Sequence, residues 1–217
     1  MASEAADRHL GHVFGAKSAR EVGAAYDEWA PTYDQDMLSV GYVHPAVAAA
    51  MVARYVGDRD QPILDAGCGT GINGQILSTV GYSSAHGLDL SPGMLARARE
   101  RSVYRELHEG VLGDRLPFPD DAFGAVVATG VFTRGHAPPD AFDELLRATR
   151  TGGTIVFSIA RNIWNDGGFR EKLNDLEAGR QCELVEETPW YHSMPFSEAE
   201  KATAARMFVY RVVKSLL

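Results

Sequence analysis

The feature that most constrains this chain is a short apolar run, Ile63-Leu64-Asp65, that breaks directly into a glycine cluster at Gly67, Gly69, Gly71 and Gly74. Strand-forming residues are followed at once by residues that let backbone turn tightly and come close to a ligand. Beyond the cluster, strand and helix patterns alternate. A helix is expected to about residue 79, then a strand over 85–90 ending near Asp89. Ser91 and Pro92 open the next helix as N-cap and first-turn proline, and it runs to about 101. A weak third strand is read near 107–111. Residues 123–129 are apolar throughout, as in a strand buried on both faces. Phe142, Leu145, Leu146 and Thr149 mark a helix that Gly152-Gly153 should stop, and 154–158 forms a fifth strand. Such alternation predicts a doubly wound α/β sheet. Residues 182–187 and 207–213 read as an antiparallel closing pair, making a mostly parallel, seven-stranded sheet.

Residues 1–17 are polar and punctuated by glycine, which predicts a mobile end. Val22, Ala25, Tyr26 and Trp29 fall on one stripe of a helix over 18–30 that Pro31 terminates, and a second helix spans 45–55. The expected organisation is a single domain over 1–217: a helical cap or lid (1–57), a ligand-binding core (58–160), and substrate-side and closing strands (161–217). With 217 residues, 45% hydrophobic and 23% charged, one sizeable core is affordable without staples. The net charge of −8 argues against a nucleic-acid partner. Four arginines at 97, 99, 101 and 105 are interrupted by Glu100 and read as a solvated helix face. Two cysteines fit a reducing compartment. No apolar run approaches the roughly 18 residues of a spanning helix, and the acidic start lacks the apolar core of a secretory signal. A cytoplasmic protein without membrane attachment is expected, either monomer or homodimer. Seven histidines lie scattered without metal-ligand spacing, so no metal is expected.

Ligands of open α/β sheets bind beyond the carboxyl ends of the strands. Two ligands compete for the glycine loop. Gly69-Thr70-Gly71-Ile72-Asn73-Gly74 matches the dinucleotide pattern G-x-G-x-x-G, with Asp89 about 20 residues beyond Gly69. Against it, the Asp65 carboxylate would repel a pyrophosphate. S-adenosylmethionine carries no phosphate, and its ammonium and sulfonium suit a nearby carboxylate. Asp89 would then accept both ribose hydroxyls, and the loop amides would remain free for the methionine carboxylate.

The stretch Ile63-Leu64-Asp65-Ala66-Gly67-Cys68-Gly69-Thr70-Gly71 resembles the first motif of class I S-adenosylmethionine-dependent methyltransferases. Gly87-Leu88-Asp89-Leu90-Ser91-Pro92-Gly93-Met94-Leu95 follows at the expected distance. The segments 116–123 and 145–153 resemble those entering the fourth and fifth strands. Residues 26–34 and 129–136 are similar to the Williams-Beuren syndrome-region methyltransferase-like subgroup. The resemblance implies a cofactor site at Asp65, Ala66, Gly67, Cys68, Gly69 and Gly71. Asp89 would hold the ribose and Tyr33 cap the cofactor near the sulfonium, with Leu90, Met94 and Thr129 as further cofactor contacts. Where relatives place an acidic residue before the adenine, this chain has Val111, so backbone at Leu112 and Gly113 should read that edge. Where they have an acidic residue after the strand's Phe, it has Gly124, which should loosen the strand start.

Methyl transfer from a sulfonium is an in-line displacement that needs alignment first and a base only if the acceptor arrives protonated. His136 is the first base candidate, in a loop after the fourth strand, and a solvent-facing loop histidine is the plainer reading. Tyr33 is the second catalytic candidate. Tyr26 and Trp29 sit on a helix stripe where core packing is the default. Tyr26, Phe132, His136 and Trp164 are the candidate substrate contacts, and Cys68 is read as a packing residue. The function expected is methyl transfer to a small-molecule N, O or S acceptor, leaving S-adenosylhomocysteine. A protein methyltransferase and a non-catalytic S-adenosylmethionine-binding protein are the alternatives.

Overall fold

The computed structural model describes residues 2–214. Four helices precede the sheet: α1 (Ala2–Gly15), α2 (Ala19–Trp29), α3 (Tyr33–Ser39) and α4 (His44–Tyr55). The core then alternates β1 (Ile63–Ala66), α5 (Ile72–Thr79), β2 (Ala85–Asp89), α6 (Pro92–Glu100), β3 (Tyr104–Glu109), β4 (Phe123–Phe132), α7 (Ala141–Ala148) and β5 (Thr149–Ala160). It closes with α8 (Arg161–Trp164), α9 (Phe169–Ala178), β6 (Cys182–Glu187), β7 (Tyr191–His192) and β8 (Ala204–Val212).

The strands form one mixed sheet in the order β3-β2-β1-β4-β5-β8-β6, with β7 sharing the outer side of β8. Pairings from β3 to β5 are all parallel, and β8 runs antiparallel to its neighbours. The short β7 makes eight strands where the sequence showed seven. The chain reverses strand order between β1 and β4, so ligands have a crevice at the carboxyl end of β1. One face buries Leu64, Val126, Ile155 and Phe157 beneath the α7 stripe of Phe142, Leu145 and Leu146. The other buries Ile63, Val127 and Val156 beneath α4, through Ala48 and Val52.

Several expectations shift. The first 17 residues are not a loose end. Ala6, Leu10 and Val13 lie one helical turn apart and pack with Val22, Ala25, Trp29 and Met37. Small residues between polar ones hid that stripe. The backbone of Glu198 also donates to the Asp7 carboxylate at 3.2 Å, holding α1 onto the 193–200 turn. Ser18 caps α2, accepting from Glu21 N–H at 3.2 Å, a contact worth about 1 kcal/mol. The third strand begins at Tyr104 rather than 107, and α3, α8 and α9 were not foreseen. Helix α7 stops at Ala148 because Thr149 turns extended and its hydroxyl donates back to the Leu145 carbonyl at 2.7 Å. Gly152-Gly153 instead fall inside β5, where pairing to β4 jumps from Phe123↔Thr149 to Ala125↔Thr154. The strand start at Gly124 is not loosened. The Gln61 side-chain amide fills the space where a Cβ would stand, and Gly124 N–H donates to the Pro62 carbonyl at 2.9 Å.

Candidate cofactor site

The glycine loop is built by hydrogen bonds to β2. Gly67 and Cys68 N–H both donate to the Leu88 carbonyl, at 2.7 and 2.9 Å. Gly69 N–H donates to the Asp89 carboxylate at 2.8 Å, and Gly71 N–H to the Cys68 carbonyl at 2.9 Å. Gly67 has φ +81°, and a Cβ there would overlap Val131 Cγ1, so only glycine passes between β1 and β4 at this point. Four of the loop amides expected to stay free, those of Gly67, Cys68, Gly69 and Gly71, are therefore spent on the protein itself. Those amides are lost to a pyrophosphate and to a methionine carboxylate alike.

The two acidic residues have different placements. Asp65 is wholly buried and is not among the residues lining the crevice. Asn73 Nδ2 donates to it at 3.1 Å and the Tyr104 hydroxyl at 2.7 Å, so it ties β1 to α5 and β3. Burial raises its pKa to about 6, against the lowering effect of those two donors. Asp89 lines the crevice. Its two oxygens accept from Ser91 N–H (2.9 Å) and Gly69 N–H (2.8 Å), one bond each. Each oxygen keeps a further lone pair for a hydroxyl donor. Arg101, read as a solvated residue, instead donates its Nε to the Thr70 carbonyl at 2.6 Å and pairs with Asp34, bracing the loop from behind.

Above the loop lies a cavity of about 290 Å³. Gly67, Gly69, Asp89, Leu90 and Met94 form its base, and Leu112, Gly113 and Asp114 one end. Thr129, Gly130 and His136 form the other end, and Val22, Tyr26 and Tyr33 of the cap cover it. The structure thus brings Tyr26, Tyr33, Gly67, Gly69, Asp89, Leu90, Met94, Leu112, Gly113, Thr129 and His136 to one cavity. It does not bring the others there. Asp65 and Ala66 are fully buried outside the cavity lining, and Gly71 packs against Arg101 and Tyr104. Cys68 borders a side cavity of about 30 Å³, its thiol held protonated by burial. Phe132 is fully buried against Phe142 and Phe169, and Trp164 stacks on Phe208 at 5.1 Å. Tyr42, whose hydroxyl is bonded to Thr129, lines the cavity too. Nothing in its local pattern marked it, because only the turn after α3 aims it inward.

His136 is held rather than solvent-facing. Its Nδ1 lies 2.9 Å from the Thr133 hydroxyl, which can donate or accept, and 3.1 Å from the Arg134 carbonyl, which can only accept, a pairing that favours the proton on Nδ1. Nε2 is then the acceptor for the Tyr26 hydroxyl at 3.0 Å. Burial lowers the pKa of His136 and raises that of Tyr26, so both are neutral at pH 7. A second chamber of about 230 Å³ adjoins the first, sharing Tyr26, Tyr33, Tyr42 and Gly130 as the partition. Leu10, Phe14, Trp29, Met37 and Met194 give it apolar walls. His44 enters it as a buried imidazole whose Nδ1 meets the Tyr191 hydroxyl at 2.7 Å, and burial lowers its pKa to about 3. The sequence reading missed His44, whose position at the first turn of α4 resembles any other capping residue.

Sheet order and an Asp89 open to two hydroxyls fit a nucleoside. One further observation fits it. Asn73 Oδ1 is buried without a hydrogen-bond donor, and Asn73 borders the side cavity next to the main one. An ammonium group would satisfy it. The fold is that of class I S-adenosylmethionine-dependent methyltransferases, and the central part of the chain matches their methyltransferase domain, whose cofactor is S-adenosylmethionine. The family model described as a methyltransferase domain matches residues 64–157. The chain is 36% identical to Methyltransferase-like protein 27 of Homo sapiens, over 64% of this chain and 58% of that one. It is 38% identical to a demethylmenaquinone methyltransferase of Chlorobaculum parvum, over 63% and 58%. The chain thus spans rather more than half the length of these curated relatives. Its fold also matches the solved structure of the [4+2]-cyclase SpnF, with a TM-score of 0.70 and 20% identity over 92% of this chain and 98% of that one.

Proposed function

We propose that the protein transfers the methyl group of S-adenosylmethionine to a small, largely apolar acceptor seated in the second chamber. The observation that carries this is the pair of adjoining cavities divided only by Tyr26, Tyr33, Tyr42 and Gly130. Bound in the first cavity, the cofactor supplies an electrophilic methyl group on a sulfonium, released as the acceptor's lone pair bonds to carbon and the sulfur keeps the electron pair.

The chain's own residues then do the rest. Asp89 accepts the ribose hydroxyls, and Leu112 and Gly113 border the base. The aromatic partition holds the acceptor in line and excludes water, and alignment of this kind is worth several kcal/mol, up to about 7–11. A hydroxyl or amine acceptor gives its proton to the Tyr26 oxygen as the Tyr26 hydroxyl proton passes to His136 Nε2. The imidazolium so formed keeps its Nδ1–H on the Arg134 carbonyl. A chamber roofed by α1, α2 and α3 favours a small molecule over a protein side chain. A chain with this equipment needs no metal for the transfer, and we infer that it works in the cytoplasm.

The match to a cyclase makes a separate test of the reaction necessary, since a fold does not fix a chemistry. Two measurements settle it. S-adenosylmethionine or S-adenosylhomocysteine at about 100 times its dissociation constant should add about 2.7 kcal/mol of stability. That raises the melting midpoint by roughly 5–10 °C, and NAD should raise it by nothing. Methyl-labelled cofactor is then offered with a panel of small phenols, thiols and amines and, separately, with cell extract. Labelled small product supports the proposal. Label on protein alone, or binding without turnover of any acceptor, overturns it.

A further inference from the structure

Strands β2 and β3 carry a donor cluster that methyl transfer leaves unused. His86 of β2 stands opposite Glu106 of β3, and His108 follows two positions further along β3. That register and two-residue spacing put all three side chains on one face of the sheet. A ligand atom from each lies within 4.8 Å of the others, and His108 Nε2 is 3.1 Å from a Glu106 oxygen. The linear sequence hides this, because the spacing between His86 and Glu106 matches no ligand motif.

The two imidazoles are seated rather than loose. His86 meets the Phe123 ring edge-on at 5.5 Å and His108 the Phe118 ring at 4.9 Å. The two phenylalanines meet each other at 4.9 Å, so one aromatic shelf orients both histidines. Glu106 is exposed and free to adjust. The nearby cation, Arg105, has its Nε committed to the Ser83 carbonyl at 3.1 Å.

We propose that His86, Glu106 and His108 form a binding site for a first-row divalent cation of the zinc type, with water as the remaining ligand. Two imidazole nitrogens and one carboxylate oxygen are a set zinc takes in tetrahedral geometry. Magnesium and calcium prefer all-oxygen sets and should not compete. The site lies on the outermost strand pair, where β3 has β2 as its sole strand neighbour among the described residues. A bound cation would clip that edge just before residues 110–113, which line the cofactor cavity.

The test is calorimetric titration of the tag-free, metal-stripped full chain with zinc chloride, independent of any methyl acceptor. One equivalent should bind. His86→Gln and His108→Gln should each weaken binding at least tenfold, and the double variant should abolish it. Metal-free melting midpoints establish that the variants fold. If a histidine variant does not fold, the exposed Glu106→Gln takes its place and should also weaken binding tenfold. Zinc should raise the wild-type midpoint and leave the double variant's unchanged. No saturable heat with the wild type, equal affinity in the double variant, or equal binding of magnesium overturns the site.

Discussion

The Tyr26 hydroxyl and His136 Nε2 meet at 3.0 Å across 110 residues of chain, joining the helical cap to the loop after β4. The pair borders the cofactor cavity, and its tyrosine borders the second chamber as well. The Arg134 carbonyl favours the tautomer that lets the histidine accept. Tyr26→Phe and His136→Gln should therefore lower kcat for a protonated acceptor by about 10²–10⁴, the usual weight of general base catalysis. Cofactor affinity, read by melting shift, should change little in Tyr26→Phe. A thiolate acceptor, already ionised, should be spared. Equal loss with both acceptor types would reduce the pair to a structural contact.

Gly67 offers a test of the loop. Its φ of +81° and the Val131 methyl beside it leave no room for a Cβ. Gly67→Ala should cost about 1–3 kcal/mol, seen as a midpoint lowered by several degrees, and should abolish the stabilisation by S-adenosylhomocysteine. Gly152→Ala shares the positive φ, +76°, but faces open space, so it should lose stability and keep cofactor binding.

Asp65 predicts a pH dependence. Burial puts its folded pKa at about 6, above the ordinary value of about 4 in the unfolded chain. The native state thus holds this proton more tightly. Its contribution to stability is fully present below about pH 4 and is lost as pH rises through about 6. Melting midpoints of wild type and Asp65→Asn across that window should show the wild type falling relative to the variant. A constant gap would mean that the carboxyl titrates alike in both states.

The cap predicts protection. Val22 and Tyr26 of α2 close the cofactor cavity, and Ser18 lies at the hinge between α1 and α2. Limited proteolysis near Ser18 should slow when S-adenosylhomocysteine is added. Equal cleavage rates would show that the cap does not tighten on the ligand.

What the sequence determined by itself is local and periodic. The apolar strand entering Gly67, the Ser91-Pro92 helix start and the strand–helix alternation specify a doubly wound sheet with its ligand at the end of β1. They do so because backbone conformation at glycine, proline and caps depends on near neighbours. Asp89 was legible for the same reason, standing at a strand end a fixed distance from the loop. The tertiary structure alone decided which way side chains face. Asp65 and Asp89 read alike in sequence, yet one is consumed by Asn73 and Tyr104 while the other opens to the cavity. Tyr42 and His44 carried no signal, since their place in the cavities depends on α4 packing under the sheet. Likewise, β-strand register set His86 beside Glu106 and His108. Such meetings are fixed by register and packing between distant segments, where a one-residue slip would turn each side chain to the other face.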